Sequence, residues 1–470
     1  MSDAAVKPKV GLLGLTLEFY ERLGPQVREG RERWLRRRVI PALSAVADVR
    51  FDGAVFRRED IERTVAAYET DGCDVLLVML LTYSTSLSSA PALQRCRLPI
   101  VVWNTQELYG VDASYDSAAQ TANHGVHGTH DLCNVLNRAE VPFAYVTSHL
   151  DDDGAVDGLA DELHAAAAVS RLRRMRIGRL GYPFPGMGDF GLDTTFLATT
   201  LGCAWQALSV ADFNRRAAAA APGPVRKLVE DYRGRYDVAD GVSDDDLAAA
   251  ARAEVALRAM IDEHALDAYS YQFLAFGQDD RTETLPFVAA SRLLAEGVGF
   301  GGEGDLISAA WSALLAGLSP PASFSEIFTI DFAGNAVLLS HMGEANVAMA
   351  PPGRKVRLVR RERPLVPVRA SQLALAVTYR PGPATLSALT LTAGPRWRII
   401  AAPMTVLEFG PLPQMEVPHA KLSPAGDVRA FLTAYAEAGG PHHLAVCYGD
   451  ARPRLRTLAR LLGADYVELQ

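Results

Sequence analysis

Four short segments of this chain carry side chains that could do chemistry together. Residues 297–305 read GVGFGGEGD and set Glu303 among closely spaced glycines. Gly297, Gly299 and Gly302 satisfy G-x-G-x-x-G, a dinucleotide fingerprint, but that fingerprint follows a strand and opens a helix. Here a helix is expected to come first, and the Glu303 carboxylate would repel a pyrophosphate. The preferred reading is that close-approach glycines bring Glu303 into a crowded polar centre; a Gly-rich turn with a solvated glutamate is the plain alternative. Glu326 opens the run EIFTIDF, where strand alternation places it on the face of Phe328 and Ile330. A carboxylate facing a core is costly unless paired or metal-bound, whereas at a strand edge it would guard against aggregation. His341 ends AVLLSH, and His442 and His443 lead into HLAVCY. A lone histidine at a strand end is ordinary. Two carboxylates and two imidazoles without a thiolate are instead an intermediate-hard donor set, suited to an octahedral Mn²⁺, Co²⁺ or Mg²⁺. Neighbours on an extended segment point to opposite sides, so one of His442 and His443 is expected to face a given ion, and spacing leaves open which.

A second group lies in SAAQTANHGVHGTHDL. Gln120, His124 and His127 fall at i, i+4 and i+7, one stripe of a helix, with His130 a turn beyond. As metal ligands they would need a carboxylate and a supporting shell, so a polar substrate-binding face is preferred, with a solvated or capping face as the alternative. The run Asp151, Asp152, Asp153 lacks the later Gly and Glu of an EF-hand and reads as a loop.

The elements that must position these residues follow from apolar patterning. Residues 10–15, 46–51, 74–81, 99–104 and 143–148 are short runs rich in Val, Leu or Ile with helical periodicity between them. That is the pattern of buried parallel strands joined by helices, and it predicts a Rossmann-like α/β domain over 1–174. Alternation restarts at RIGRLGY and CAWQALS, followed by a long Ala-rich helix with Ser243 as N-cap and three aspartates in its first turn. A strand over 268–276 and a helix over 285–296, stopped by Gly297, complete a second, central α/β domain over 175–322. After Pro320-Pro321 the texture changes to SEIFTIDF, NAVLLSHM, KVRLVRR, LALAVTYR, ATLSALTLT and WRIIAAPMTVLEF. These predict an antiparallel β-barrel domain over 323–470 with a helix-strand-helix tail.

The 470 residues are 49% hydrophobic and 22% charged, which allows a large core and excludes a disordered or collagenous chain. Net charge is −8 without a basic stripe, so nucleic acid is not an expected partner. The start MSDAAVKPKV lacks the pattern of a signal peptide, and no apolar run reaches membrane-spanning length, so a cytoplasmic protein with no membrane partner is expected. Cys73, Cys96, Cys133, Cys203 and Cys447 are odd in number and scattered, as reduced thiols used as small apolar residues would be.

GFGGEGD, SFSEIF, SHMGEAN, MEVPHAKL and GGPHH, in this order, resemble the L-arabinose isomerase family, and the strand-helix order of the first half does too. The resemblance implies that Glu303, Glu326, His341 and His443 hold a metal, with Glu303 and Glu326 also carrying protons and His442 touching substrate. It implies Mn²⁺, with Co²⁺ or Mg²⁺ as alternatives, and a trimer-based homo-oligomer, commonly a hexamer, with an intersubunit active site. The family's first strand ends in Gly-Ser-Gln-x-Leu-Tyr-Gly, whose Gln and Tyr reach the sugar. The matching residues 14–20 read GLTLEFY, so Thr16 and Phe19 would take those substrate-binding places. The family's Gln-Thr-Ala-His helix is matched by residues 120–124, with one extra residue before His124, which makes Gln120 and His124 substrate contacts from a neighbouring subunit; Phe276 matches an aromatic lining the sugar.

The activity this implies is interconversion of an unphosphorylated aldose and its ketose, L-arabinose to L-ribulose first. A different free aldose such as fucose, and a non-catalytic cytoplasmic sugar-binding protein, are the alternatives. The residue types suit the chemistry. A divalent ion chelating O1 and O2 stabilises an enediolate, and two flanking carboxylates act as base and acid. Two carboxylates with one dication make a near-neutral site, which favours free sugars over phosphorylated ones.

Overall fold

Each of the first five apolar runs becomes a strand of one parallel sheet in the computed structural model, which describes residues 7–470. The strands are β1 (Lys9–Leu15), β2 (Asp48–Arg50), β3 (Val75–Leu80), β4 (Ile100–Asn104) and β5 (Phe143–Thr147), ordered β2-β1-β3-β4-β5. Every residue of β3 is buried, the mark of a parallel strand covered on both faces. This order is doubly wound, with a ligand crevice expected beyond the carboxyl ends of β1 and β3, where the winding reverses. Among the described residues, the sheet belongs to a compact unit formed by 7–171 together with Pro453–Ala464; Leu172–Arg452 and Asp465–Gln470 form a second unit.

In the second unit, β6 (Arg176–Leu180), β7 (Ala204–Leu208), β9 (Ala268–Tyr271) and β10 (Gly299–Gly301) make a parallel sheet ordered β10-β9-β6-β7, while β8 (Asp237–Val238) lies elsewhere. Ser243 caps the helix Asp244–His264 as its residue type predicts. Its Oγ accepts from the Asp246 N–H at 3.1 Å, and the Asp246 carboxylate accepts from the Ser243 N–H at 3.1 Å, a reciprocal capping box.

One expectation for this unit is corrected. The strand over 268–276 stops at Tyr271, because the Gln272 side chain accepts from the Leu274 N–H and starts a short helix, Phe273–Gly277; a brief run of large apolar residues does not distinguish the two states. The Gly-rich segment follows a helix, Phe287–Ala295, as expected, so its G-x-G-x-x-G does not follow a strand; it holds an unforeseen short strand, β10, within it and leads into the helix Leu306–Leu318. Its glycines serve packing: a Cβ at Gly299 would overlap the Ala309 carbonyl, and one at Gly301 would overlap the Ser308 hydroxyl.

The remaining strands are β11 (Ala322–Asp331), β12 (Ala336–Ser340), β13 (Arg357–Arg360), β14 (Leu373–Ala376), β15 (Gly382–Thr392), β16 (Arg396–Val406), β17 (His419–Pro424), β18 (His443–Tyr448) and β19 (Asp465–Glu468). Six of them pair antiparallel in the order β15-β18-β11-β12-β17-β16, and β16 pairs back onto β15, so the sheet closes into a barrel. Leu386, Ile400, Val446, Leu422 and Val337 fill its core. β13 and β14 join β8 in a separate small sheet. The tail does not end in a helix as expected, since β19 follows it and pairs parallel to β16; four residues are too few for periodicity to announce a strand.

No helix of the described residues is long and apolar enough to cross a membrane. None of the five cysteines is in a disulfide, and burial pushes the Cys203 thiol up to about 12 and the Cys133 thiol up to about 11, which leaves both unreactive.

Candidate active site

Barrel register assembles the centre. β11 runs between β12 and β18, and Glu326 stands opposite Ser340 on one side and His443 on the other. His341 follows Ser340 directly, so one rung of the ladder gathers Glu326, His341 and His443. Past this rung β11 carries a bulge: Ile327 pairs with Leu339 and Thr329 with Leu338, leaving Phe328 as the extra residue. The bulge corrects the expected alternation. Ile330 pairs with Val337, three residues from Ser340, so the ladder turns it to the face opposite Glu326.

Glu303 arrives from the turn between β10 and the helix Leu306–Leu318 with φ of +52°, a left-handed conformation unusual for a residue with a side chain. Its carbonyl accepts the Phe184 N–H at 2.9 Å. The next residue, Gly304, has φ of +84°, and a Cβ there would overlap the Tyr182 carbonyl.

His443 Nε2 lies 2.8 Å from Glu303 Oε2 and 2.9 Å from Glu326 Oε1. His341 Nε2 lies 3.6 Å from Glu326 Oε1 and 3.9 Å from Glu303 Oε1, and this buried nitrogen has no hydrogen-bond partner. His442 Nε2 is 3.9 Å from Glu326 Oε1, and one ligand atom from each of Glu303, Glu326, His442 and His443 lies within 4.8 Å of the others. The expectation that only one of the adjacent histidines faces this centre is therefore corrected. His442 precedes β18 and sits in a bend, free of the alternation a strand would impose.

Behind each ring stands a carboxylate. Asp305 Oδ2 is 2.9 Å from His443 Nδ1, Glu344 Oε2 is 2.6 Å from His341 Nδ1, and Asp189 Oδ2 is 2.6 Å from His442 Nδ1. An imidazole with a carboxylate at its far nitrogen is the arrangement that orients metal-ligating histidines. Asp305 also caps the helix Leu306–Leu318, its Oδ1 accepting from the Ile307 and Ser308 N–H groups. Glu344 accepts in addition from the Tyr271 hydroxyl. Sequence reasoning missed all three. Glu344 and Asp305 lie within three residues of His341 and Glu303, a signal that was available, whereas Asp189 is 253 residues from His442 and gave none. These carboxylates also correct the expected near-neutral balance, since five acids face three imidazoles and a single dication leaves the centre net negative.

Electrostatics in the metal-free protein follow from that crowding. Burial would raise the Glu303 carboxyl, but the His341 and His443 rings hold it far below the usual carboxylate range. Burial works against protonation of His341, yet Glu344, Glu326 and Glu303 push it up to about 10; Asp305, Glu303 and Glu326 raise His443 against the same penalty. Protons on these rings thus balance the acids. A divalent cation would balance them as well, and the orphaned His341 Nε2 aimed at two carboxylates fits one.

The remaining substrate candidates lie in the other unit, except Phe276. Thr16 is buried, and its hydroxyl has no hydrogen-bond partner; Phe19 is 57% exposed. The Tyr20 hydroxyl meets His124 Nε2 at 2.8 Å, and Tyr83 stacks on His127 with ring centroids 4.6 Å apart. Thr16, Phe19 and Tyr20 follow β1 and Tyr83 follows β3 in the chain, at the carboxyl ends where the winding reverses, while His124 and His127 come after β4. The single helical stripe through Gln120, His124 and His127 is not formed. One helix, Ser117–Asn123, ends before His124 and another, Gly125–Arg138, begins after it, with Gly125 so close to the Leu80 carbonyl that a Cβ would overlap it. His124 Nδ1 instead meets the Gln120 carbonyl at 2.7 Å. Phe276 is wholly buried in the core of its unit, edge-on to Phe213 at 5.1 Å and Tyr271 at 5.7 Å.

Comparison with known proteins agrees with this architecture. Residues 193–319 match the family model of the L-arabinose isomerase central domain, and residues 321–465 match that of the L-arabinose isomerase C-terminal domain. L-Arabinose isomerase of Acidothermus cellulolyticus is 29% identical over 416 residues, covering 85% of this chain and 81% of the relative. The Nocardioides sp. enzyme is 28% identical over 417 residues with the same coverage, and that of Phocaeicola vulgatus is 25% identical over 440 residues, covering 89% and 85%. Fold and site thus define an aldose–ketose isomerase, an intramolecular oxidoreductase. The chain belongs to the L-arabinose isomerase family.

Proposed function

We propose that this protein interconverts a free aldose and its ketose through an enediol, L-arabinose to L-ribulose first, with a divalent cation, Mn²⁺ ahead of Co²⁺ or Mg²⁺, held by Glu303, Glu326, His341 and His443. The observation that carries the reading is the buried, unpartnered His341 Nε2 directed at two carboxylates that also meet His443 Nε2. When bound, the cation supplies charge that stabilises electron density developing on two adjacent sugar oxygens. Glu303 and Glu326 carry the proton, one removing it from C2 and the other returning one to C1, each contributing on the order of 10²- to 10⁴-fold in rate. Asp305 and Glu344 hold the far nitrogens of His443 and His341, which fixes both rings. The surplus of carboxylates disfavours phosphorylated and acidic sugars.

The proposed organisation is three domains, 1–174, 175–322 and 323–470, in a trimer-based homo-oligomer, hexameric as the family commonly is, located in the cytoplasm. Gln120 and His124 would serve a neighbouring copy's site, with Thr16, Phe19 and Phe276 as further sugar positions and His442 as a substrate contact. A different free aldose, such as fucose, is the second reading. It is favoured by Thr16, whose buried hydroxyl stands where the resembling family places a sugar-reaching glutamine.

The test is ketose formation over a panel of pentoses, hexoses and deoxy sugars, with Mn²⁺ returned to metal-stripped protein. Glu303→Gln and Glu326→Gln are each expected to abolish turnover of every sugar with fold and oligomer retained. An active variant of either kind overturns the assignment, and sugar binding without turnover would favour a binding protein.

A further inference from the structure

Adjacent residues of an extended segment diverge, yet the His442 and His443 rings lie side by side, with centroids 4.1 Å apart and both Nε2 atoms toward Glu326. One dipeptide from a distant loop holds them so. Asp189 Oδ2 accepts two hydrogen bonds from one residue, the His442 backbone N–H at 2.8 Å and its ring Nδ1–H at 2.6 Å. Phe190, itself buried, lies flat on His443 at 5.2 Å with an interplanar angle of 8°, and 5.8 Å from His442. The same loop is tied to the centre a second time by the bond from the Phe184 N–H to the Glu303 carbonyl.

Of the three rings at the centre, His341 and His443 are buried, while the His442 side chain is 38% exposed. His442 therefore stands on the open side, where a substrate must arrive. We propose that Asp189 is a positioning residue of the reaction: by locking both the backbone and Nδ1 of His442, it fixes the ring with a free Nε2 turned toward the carboxylate pair and the incoming sugar. A carboxylate at Nδ1 sets the tautomer as well as the direction of the ring. An unheld His442 would rotate about its side-chain torsions into solvent, since it is outside the ladder. This inference rests on the isomerase reading and assigns Asp189 a role through His442 alone, not through the metal.

The test compares Asp189→Ala, Asp189→Asn, His442→Ala and the double variant Asp189→Ala/His442→Ala in the full chain loaded with Mn²⁺, on whichever aldose the unsubstituted protein converts. Asp189→Ala is expected to lose about 10- to 100-fold in kcat, the usual cost of removing a carboxylate behind a functional histidine, with the Mn²⁺ Kd from electron paramagnetic resonance titration changed less than about threefold. Asp189→Asn, whose amide oxygen accepts the same two bonds, is expected to restore most of that loss. The double variant should be no slower than His442→Ala, because the two residues act as one unit. Unchanged kcat in Asp189→Ala, additive losses in the double variant, or a parallel tenfold loss of Mn²⁺ affinity would each overturn the proposal. If the unsubstituted protein converts no sugar, the isomerase reading fails by itself. A crystal structure of Asp189→Ala then decides the positioning claim: a His442 ring that has left Glu326 supports it, and one that has not moved refutes it.

Discussion

Removing Glu344 should cost both folding stability and metal affinity, in proportions the geometry sets. Glu344 is 1% exposed and offers one oxygen to the Tyr271 hydroxyl and the other to His341 Nδ1 at 2.6 Å. Glu344→Ala leaves two buried donors without acceptors, and each such group costs about 1 to 3 kcal/mol, so a loss of about 2 to 6 kcal/mol is expected. His341 also loses the group that orients its Nε2. A carboxylate behind a ligating histidine is worth about 10- to 100-fold in affinity, or about 1.4 to 2.8 kcal/mol. Glu344→Gln should fall between, because its single acceptor oxygen can serve His341 only if Tyr271 turns its hydroxyl to accept from the amide. Denaturant unfolding measures the first quantity and Mn²⁺ titration the second. Adding Tyr271→Phe to Glu344→Ala should recover about 1 kcal/mol or more of stability by deleting one orphaned donor, without recovering metal affinity. Mn²⁺ affinity within twofold of the unsubstituted protein in a folded Glu344→Ala variant would refute the reasoning that Nδ1 must be held.

Two further outcomes test other parts of the account. If Glu303 and Glu326 carry a proton that exchanges with water, turnover in D₂O should place solvent deuterium at C1 of the ketose; product without deuterium, read by mass spectrometry, would point to direct transfer of hydrogen between the carbons. Asp246 has a depressed carboxyl because bonds from Ser243 and Ser371 outweigh its burial. Its contribution is present above the unfolded aspartate value near 4 and is lost as pH falls through the lower folded value, so the decline in stability below about pH 4 should be shallower in Asp246→Asn, and an identical acid profile would remove Asp246 from the explanation.

How far the sequence could be read depends on the range of the signal. Runs such as residues 74–81 announced buried strands because a parallel strand covered on both faces has little room for polar residues. Glu303, Glu326, His341 and His443 stood out because their types are costly among apolar neighbours, and the fold does bring their side chains to one place. What escaped was set by contacts across long stretches of chain or by single-residue irregularities. Asp189 reaches His442 only through the fold, the bend at His442 breaks alternation, and the helix interruption at His124 falls beside a close approach of Gly125 to Leu80 that requires glycine. The short strand β10 was hidden because glycine carries no apolar pattern, although its packing against the helix Leu306–Leu318 requires glycine there.

The extra residue in β11 separates two jobs that one strand would otherwise have to share. Up to Glu326, the strand's phase is set by the centre that Glu326 enters; beyond Phe328 it runs with opposite phase, so the exposed outer half can follow the needs of the surface without regard to the centre. Evolution can therefore rewrite the distal half of this strand by substitution, while any change in its length shifts one half against the other. A closed barrel has no loose edge at which to absorb that shift.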